Sequence, residues 1–252
     1  MVLGKISERK QQILKILADD ASISVSEISK LLKVSEVTIR TNLNQLADSG
    51  YIVRTRGGAQ PSFHPNILER QRSMVEEKTR IAKAAAGLIE DGDNIMLDAG
   101  TTPSMLVKFL LGKRDITVVT NSTLVLSYAR MNPALKVILL GGEFIASSEA
   151  MVGAMALDVL KKYRVNKAFL GTDGFSEVSG FTAHSVETGE VVRQMSKQAT
   201  QTYILADSAK YGEAGFAQIL DLNDVYKIII DSNISEDAKA KLEEAGADLH
   251  IV

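Results

Sequence analysis

The stretch from Ser24 to Gly58, SVSEISKLLKVSEVTIRTNLNQLADSGYIVRTRGG, constrains this chain more than any other. Ser24 followed three residues on by Glu27 is a capping box, in which hydroxyl and carboxylate each take up an amide that a helix start leaves without a partner. Ile28, Leu31 and Leu32 then recur at helical spacing and give that helix one apolar face. Ser35 caps a second helix, with Ile39, Leu43 and Leu46 on one side. Ser35, Glu36, Thr38, Arg40 and Thr41 crowd its leading end, where most have no core role. A short, capped helix with a polar leading end is what reading the major groove of DNA requires. Asp48-Ser49-Gly50 stops it. Tyr51 to Val53 and the stretch after Arg54 read as two short strands, with Gly57-Gly58 in or beside the turn. Arg54 and Arg56 project from that hairpin toward phosphate or the minor groove. The pattern is a winged helix-turn-helix, placed at 1–60.

Charge is distributed accordingly. The formal net charge is −2, which taken whole argues against a polyanionic partner. The first 60 residues, however, hold nine Lys/Arg against six Asp/Glu, a balance of +3 that leaves −5 on the remainder. The electrostatic footprint therefore lies on the small N-terminal module. A module of that charge binds DNA weakly by itself, which implies a dimer or higher assembly. Cysteine is absent and only three histidines are present, so disulfides, thiolate nucleophiles and a metal centre are not expected. No run of about 18 apolar residues occurs, and the first residues lack the apolar stretch of a signal peptide, so a cytoplasmic protein without membrane contact is expected.

A first helix is expected at 6–18, with Ile6, Ile13, Leu14 and Leu17 as its core contacts. Residues 61–74, opening with two prolines and little periodicity, read as a linker, although helical patterning resumes at 67–90. From 75 to 252 short apolar strands alternate with helices. Strands are expected at 95–97, 116–120, 137–140, 167–171, 202–206, 226–231 and 248–252. Helices are expected at 103–111, 123–131, 151–162, 186–199 and 235–245. Such alternation makes an α/β domain with a mostly parallel sheet covered on both faces.

In open parallel sheets ligands bind beyond the carboxyl ends of the strands, and the polar residues of this domain collect there. Asp98, Gly100, Thr101 and Thr102 follow the first strand and lead into a helix start, an arrangement suited to an anion. Thr120 and Asn121 end the second strand, Gly141 and Gly142 the third, and Asp173 follows the fourth. Asp207-Ser208 and Lys210 follow the fifth, and Glu187 sits on a later helix where it can accept sugar hydroxyls. His184 reads equally as a cleft residue or a structural one. A compact phosphate carrying several hydroxyls fits this set. No Gly-x-Gly-x-x-Gly occurs, and Gly112-Lys113 is followed by Arg114 with Val107 where a phosphate loop needs its first glycine.

Thr38-Ile39-Arg40, Leu43, Leu46, Gly50, Arg54 and Gly57-Gly58-Ala59 resemble the DNA-binding signature of DeoR-type bacterial transcriptional regulators. Asn42 departs from it, standing where that family usually carries an aspartate. Glu77-Lys78, Ile81-Ala82, Asp98 to Thr102, Thr120-Asn121, Gly141-Gly142, Phe169 to Gly171, Gly174, Glu187 and Asp207-Ser208 with Lys210 resemble the family's effector domain. Asn166 stands where many members have an aspartate. The resemblance implies a fold similar to ribose-5-phosphate isomerase and glucosamine-6-phosphate deaminase. It further implies a phosphorylated sugar or sugar-alcohol effector, held through phosphate by Gly100 to Thr102 and Lys210 and through hydroxyls by Asp98 and Asn121. The expected function is a repressor of a carbohydrate-utilisation operon, with double-stranded operator DNA, effector and a second copy of itself as partners and no cofactor. The alternative is a sugar-phosphate isomerase or deaminase with an accessory DNA module, although no clear acid–base pair flanks the site.

Overall fold

The computed structural model describes residues 7–20, 22–49, 51–56 and 58–252, so Ile6, Gly50 and Gly57 lie outside the described residues. The chain forms two compact units, Met1–Ser73 and Met74–Val252.

In the first unit, α1 (Glu8–Asp19), α2 (Val25–Leu32) and α3 (Glu36–Asp48) precede the antiparallel pair β1 (Ile52–Thr55) and β2 (Gly58–Pro61). The capping box is complete: Ser24 Oγ accepts from Glu27 N at 3.2 Å, and Glu27 Oε2 accepts from Ser24 N at 2.9 Å. Ile13, Leu14 and Leu17 of α1, Ile28 of α2, and Ile39, Leu43 and Leu46 of α3 are buried together with Tyr51, Ile52 and Ala59 of the wing. Leu31 departs from expectation, being 61% exposed. Asn42, the family departure, donates from Nδ2 to the Thr38 carbonyl oxygen at 2.7 Å, a bond for which a carboxylate has no donor.

The 61–74 segment expected as a linker holds α4 (Pro65–Arg72), whose Leu68 joins this core. The continuous helix expected at 67–90 is two helices. Met74, at φ 52° and ψ 44°, stands in the left-handed region before α5 (Val75–Gly87). No helical run passes through that conformation.

The second unit contains β3 (Asn94–Leu97), α6 (Thr101–Leu106), β4 (Thr117–Thr120), α7 (Thr123–Ala129) and β5 (Lys136–Leu139). There follow β6 (Glu143–Ile145), β7 (Ala150–Val152), α8 (Ala154–Leu160), β8 (Val165–Leu170), β9 (Gly174–Ser176), β10 (Gly180–Ala183) and α9 (Val186–Gln198). β11 (Ala199–Ala206), β12 (Ala217–Leu220), β13 (Lys227–Ile230), α10 (Glu236–Glu244) and β14 (Leu249–Ile251) complete it. Seven strands form one parallel sheet in the order β14-β13-β11-β8-β3-β4-β5. Its inner strands are apolar on both faces because both are covered, whereas the edge strand β5 stays partly exposed. Met96, Ala168, Ile204 and Ile228 belong to one core, and their neighbours Ile95, Phe169, Tyr203 and Ile229 to the other.

The chain enters this sheet at its middle. It builds outward through β4 and β5, then returns to place β8 on the other flank of β3. The direction of winding reverses between β3 and β8, which opens a crevice at their carboxyl ends. Two additions were not expected from sequence: the β6–β7 hairpin and a three-stranded antiparallel sheet, β12-β10-β9. β7 takes the first residues of the helix expected at 151–162, and Gly153 at φ 87° turns the chain into α8.

Candidate nucleic-acid interface and effector site

The candidate recognition surface follows from α3. With Ile39, Leu43 and Leu46 buried, the opposite side presents Glu36, Val37, Arg40, Thr41 and Asn44 to solvent. Arg40 Nη2 pairs with Glu36 Oε2 at 3.4 Å, one helical turn apart. Of the residues expected at the DNA, Ser35 and Thr38 are engaged in the cap. Ser35 Oγ accepts from Thr38 N at 3.2 Å and lies 2.9 Å from Thr38 Oγ1. Thr41 Oγ1 donates to the Val37 carbonyl oxygen at 3.0 Å. On the wing, Arg54 Nη1 donates to Asn44 Oδ1 at 2.9 Å, and Arg56 is exposed beyond it. Asn44 and Val37 were not among the residues expected at the DNA. Their spacing from Arg40 and Thr41 places all four on one helical stripe.

In the second unit, the expected effector residues fall at the carboxyl ends of the parallel sheet, though not all in one place. Asp98 Oδ2 accepts from Gly171 N at 3.3 Å, joining the loops after β3 and β8 across the crevice. The register pairing Leu97 with Thr120 sets Asp98 beside Asn121. Thr101 and Thr102 open α6, both buried. Asn121 is 1% exposed, and its Oδ1 has no hydrogen-bond partner among the described residues, while Nδ2 donates to the Met151 carbonyl oxygen at 3.4 Å.

Other expected residues are committed to holding the loops. Thr120 is fully buried, its hydroxyl donating to the Leu97 carbonyl oxygen at 2.7 Å and accepting from Ser122 N at 3.0 Å. Gly142 has φ 146°, and a Cβ there would stand 2.3 Å from the Val152 carbonyl oxygen, so the β6–β7 hairpin accounts for it. Gly141 is exposed beside it. Asp173 Oδ2 accepts from His184 N at 2.8 Å, and the exposed His184 ring has Nε2 3.6 Å from Asp173 Oδ1. Glu187 is exposed in the first turn of α9. Asn166 lies at the opposite end of the sheet, accepting from Asn94 N at 3.0 Å.

Lys210, half-buried, follows β11, with its N–H donating to the Asp207 carbonyl oxygen at 3.0 Å. From β5 to β11 the sheet order counts four interstrand steps, about 19 Å at ~4.8 Å each. That is wider than one sugar phosphate, so Gly141-Gly142 and Lys210 stand on opposite flanks of the crevice. Beneath the Lys210 loop lies a buried ionic group. Lys78 Nζ, on α5, is 3.8 Å from Asp207 Oδ2, with side chains 5% and 3% exposed. Asp231 Oδ2 accepts from Ser208 N at 2.6 Å. Among the described residues no His, Cys, Asp and Glu group could hold a metal ion, and no helix is long and apolar enough to cross a membrane.

Comparison with known proteins agrees with both halves. Residues 9–62 match the model of the DeoR-like helix-turn-helix domain, and residues 73–232 that of the DeoR C-terminal sensor domain. The HTH-type transcriptional repressor GlcR of Bacillus subtilis is 37% identical over 89% of this chain and 88% of its own. The uncharacterized HTH-type transcriptional regulator FruR of the same organism is 34% identical over 89% of this chain and 91% of its own. Among solved structures, ribose 5-phosphate isomerase A of Methanocaldococcus jannaschii overlaps 55% of each chain at 20% identity with a TM-score of 0.40.

Proposed function

The chain belongs to the DeoR family of helix-turn-helix transcriptional regulators, and on that premise we propose that it represses a carbohydrate-utilisation operon and is released by a phosphorylated sugar or sugar alcohol. The family acts by binding rather than turnover. The observation that carries the effector reading is Asn121 Oδ1, a buried acceptor with no partner among the described residues, at the carboxyl end of β4 and next to Asp98 at the β3–β8 crevice. A buried acceptor without a donor is costly, and a ligand hydroxyl supplies that donor. Polyol hydroxyls against Asn121 and Asp98, with phosphate toward the Thr101 and Thr102 amides that open α6, fit this chemistry, while the Gly100 amide shapes the loop by donating to the Asp98 carbonyl oxygen at 2.9 Å. Lys210 lies on the β11 side, where it would meet the phosphate from across β8. GlcR, named as a repressor, supports the sign of regulation.

Release is linkage. The effector binds the DNA-incompetent arrangement better and shifts the population toward it. Two half-sites on a palindromic operator call for at least a dimer, acting in the cytoplasm. The test is a gel-shift titration of the full chain on the DNA upstream of its own gene, with a panel of hexose, pentose and polyol phosphates. A specific complex abolished by one compound supports the reading and names the inducer. A complex that no phosphorylated compound alters overturns the effector assignment.

A further inference from the structure

The recognition helix carries one side chain that neither the fold nor the polar contacts explain. Val37, on the second helical position of α3, is 73% exposed. Of the other β-branched apolar residues in the three helices, Ile13, Val25, Ile28 and Ile39 are buried and Ile16 is half-buried against the same core. Val37 sits on the same stripe as Arg40, Thr41 and Asn44, directly opposite the buried Ile39 and Leu43. It is therefore on the surface that a helix-turn-helix turns toward bases, near the helix start where base-edge contacts are made.

Its neighbours already have commitments that narrow what each can read. Arg40 is paired with Glu36, the Thr41 hydroxyl donates to the Val37 carbonyl oxygen, and Asn44 accepts from Arg54. Arg54 reaches the stripe through Asn44, and Arg56 is exposed on the same hairpin, a positive edge that matches a polyanion rather than an apolar protein partner. Within the major groove only thymine presents an apolar group, its C5-methyl. Resting on the regulator reading, we infer that Val37 is a specificity-determining residue, packing on the C5-methyl of one thymine in each operator half-site.

The experiment replaces thymines by deoxyuridine, which removes the methyl and leaves the protein and every hydrogen-bonding edge untouched. Duplexes covering the footprinted site upstream of the protein's own gene carry deoxyuridine at one thymine at a time. Affinity of the full chain is read by fluorescence anisotropy. The expected result is one thymine per half-site whose substitution weakens wild type about fourfold, the size of one buried methyl-sized group. Val37→Ala weakens binding to the thymine duplex by a similar factor and is insensitive to deoxyuridine at that position. The inference is overturned if no thymine responds, or if the response persists in Val37→Ala. Absence of any specific complex, with wild type and unmodified DNA, overturns the regulator reading itself.

Discussion

Arg54 Nη1 on the wing donates to Asn44 Oδ1 on the recognition helix across 2.9 Å, fastening strand β1 to the solvent-facing stripe of α3. The bond holds the guanidinium beside α3, so the arginine needs less ordering when it meets a phosphate. Arg54→Ala is expected to weaken binding almost equally on operator and unrelated DNA and to lower the salt slope by about 1. Asn44→Ala should weaken binding in wild type and have little effect in the Arg54→Ala background, because the two act through one bond. Anisotropy titrations across a salt series measure both.

The capping box gives a stability prediction with a pH signature. Ser24→Ala should destabilise the N-terminal unit by about 1 kcal/mol in urea unfolding. The Ser24 hydroxyl, and after it the Ser24 amide, hold the Glu27 carboxyl below its ordinary value. A carboxyl lowered on folding stabilises the folded state above its unfolded pKa, and that contribution is lost as pH falls through the folded value. In Ser24→Ala the Glu27 carboxyl should titrate higher than in wild type, back toward the ordinary carboxylate range, when followed by NMR. An unchanged titration would show that the hydroxyl is not the cause.

How much was legible in the sequence follows from what each element rests on. Helices α2 and α3 announce themselves because caps and apolar spacing agree within each. The parallel strands were legible as continuous apolar runs such as Ile228-Ile229-Ile230, long enough to stand out from their flanks. β9 and β10 were not, since each begins at a glycine and neither carries a continuous apolar run. Their signal was Phe175 and Phe181, whose rings stack at 5.7 Å in an otherwise polar stretch. The positions of glycines and hydroxyls at strand ends were readable, but their employment was not. Gly142 answers to the close approach of Val152, and the Thr120 hydroxyl to the Leu97 carbonyl oxygen. Neither partner can be inferred from local sequence. Leu31 shows the converse: helical spacing placed it on the apolar face, but its side chain stands mostly in solvent.

The buried pair Lys78–Asp207 supports the loop that carries Lys210. Lys78→Met leaves Asp207 as an uncompensated buried charge and should destabilise the second unit by roughly 3–5 kcal/mol. The double variant Lys78→Met/Asp207→Asn should recover part of that loss, since neither charge is then left alone. Urea unfolding of the four members of this cycle gives the coupling. Additive losses would mean that the two side chains do not act as a pair.

Asn121 separates the two halves of the proposed switch. Among the described residues its Oδ1 has no hydrogen-bond donor and its Nδ2 makes only a long bond, at 3.4 Å, so Asn121→Ala should change stability little. If the carboxamide accepts an effector hydroxyl, the variant should need about tenfold more effector to release operator, the upper range for one neutral hydrogen bond. Operator affinity without effector should be unchanged. Arg40→Ala should behave in reverse, losing about 1–3 kcal/mol of operator binding while effector affinity stays intact. Gel shifts give the first quantity and calorimetry with the inducing phosphate the second. An Asn121→Ala protein released at the wild-type effector concentration would remove the carboxamide from the site. The unpaired oxygen would then be a packing defect, and the ligand would be sought along Asp98 and the α6 start alone.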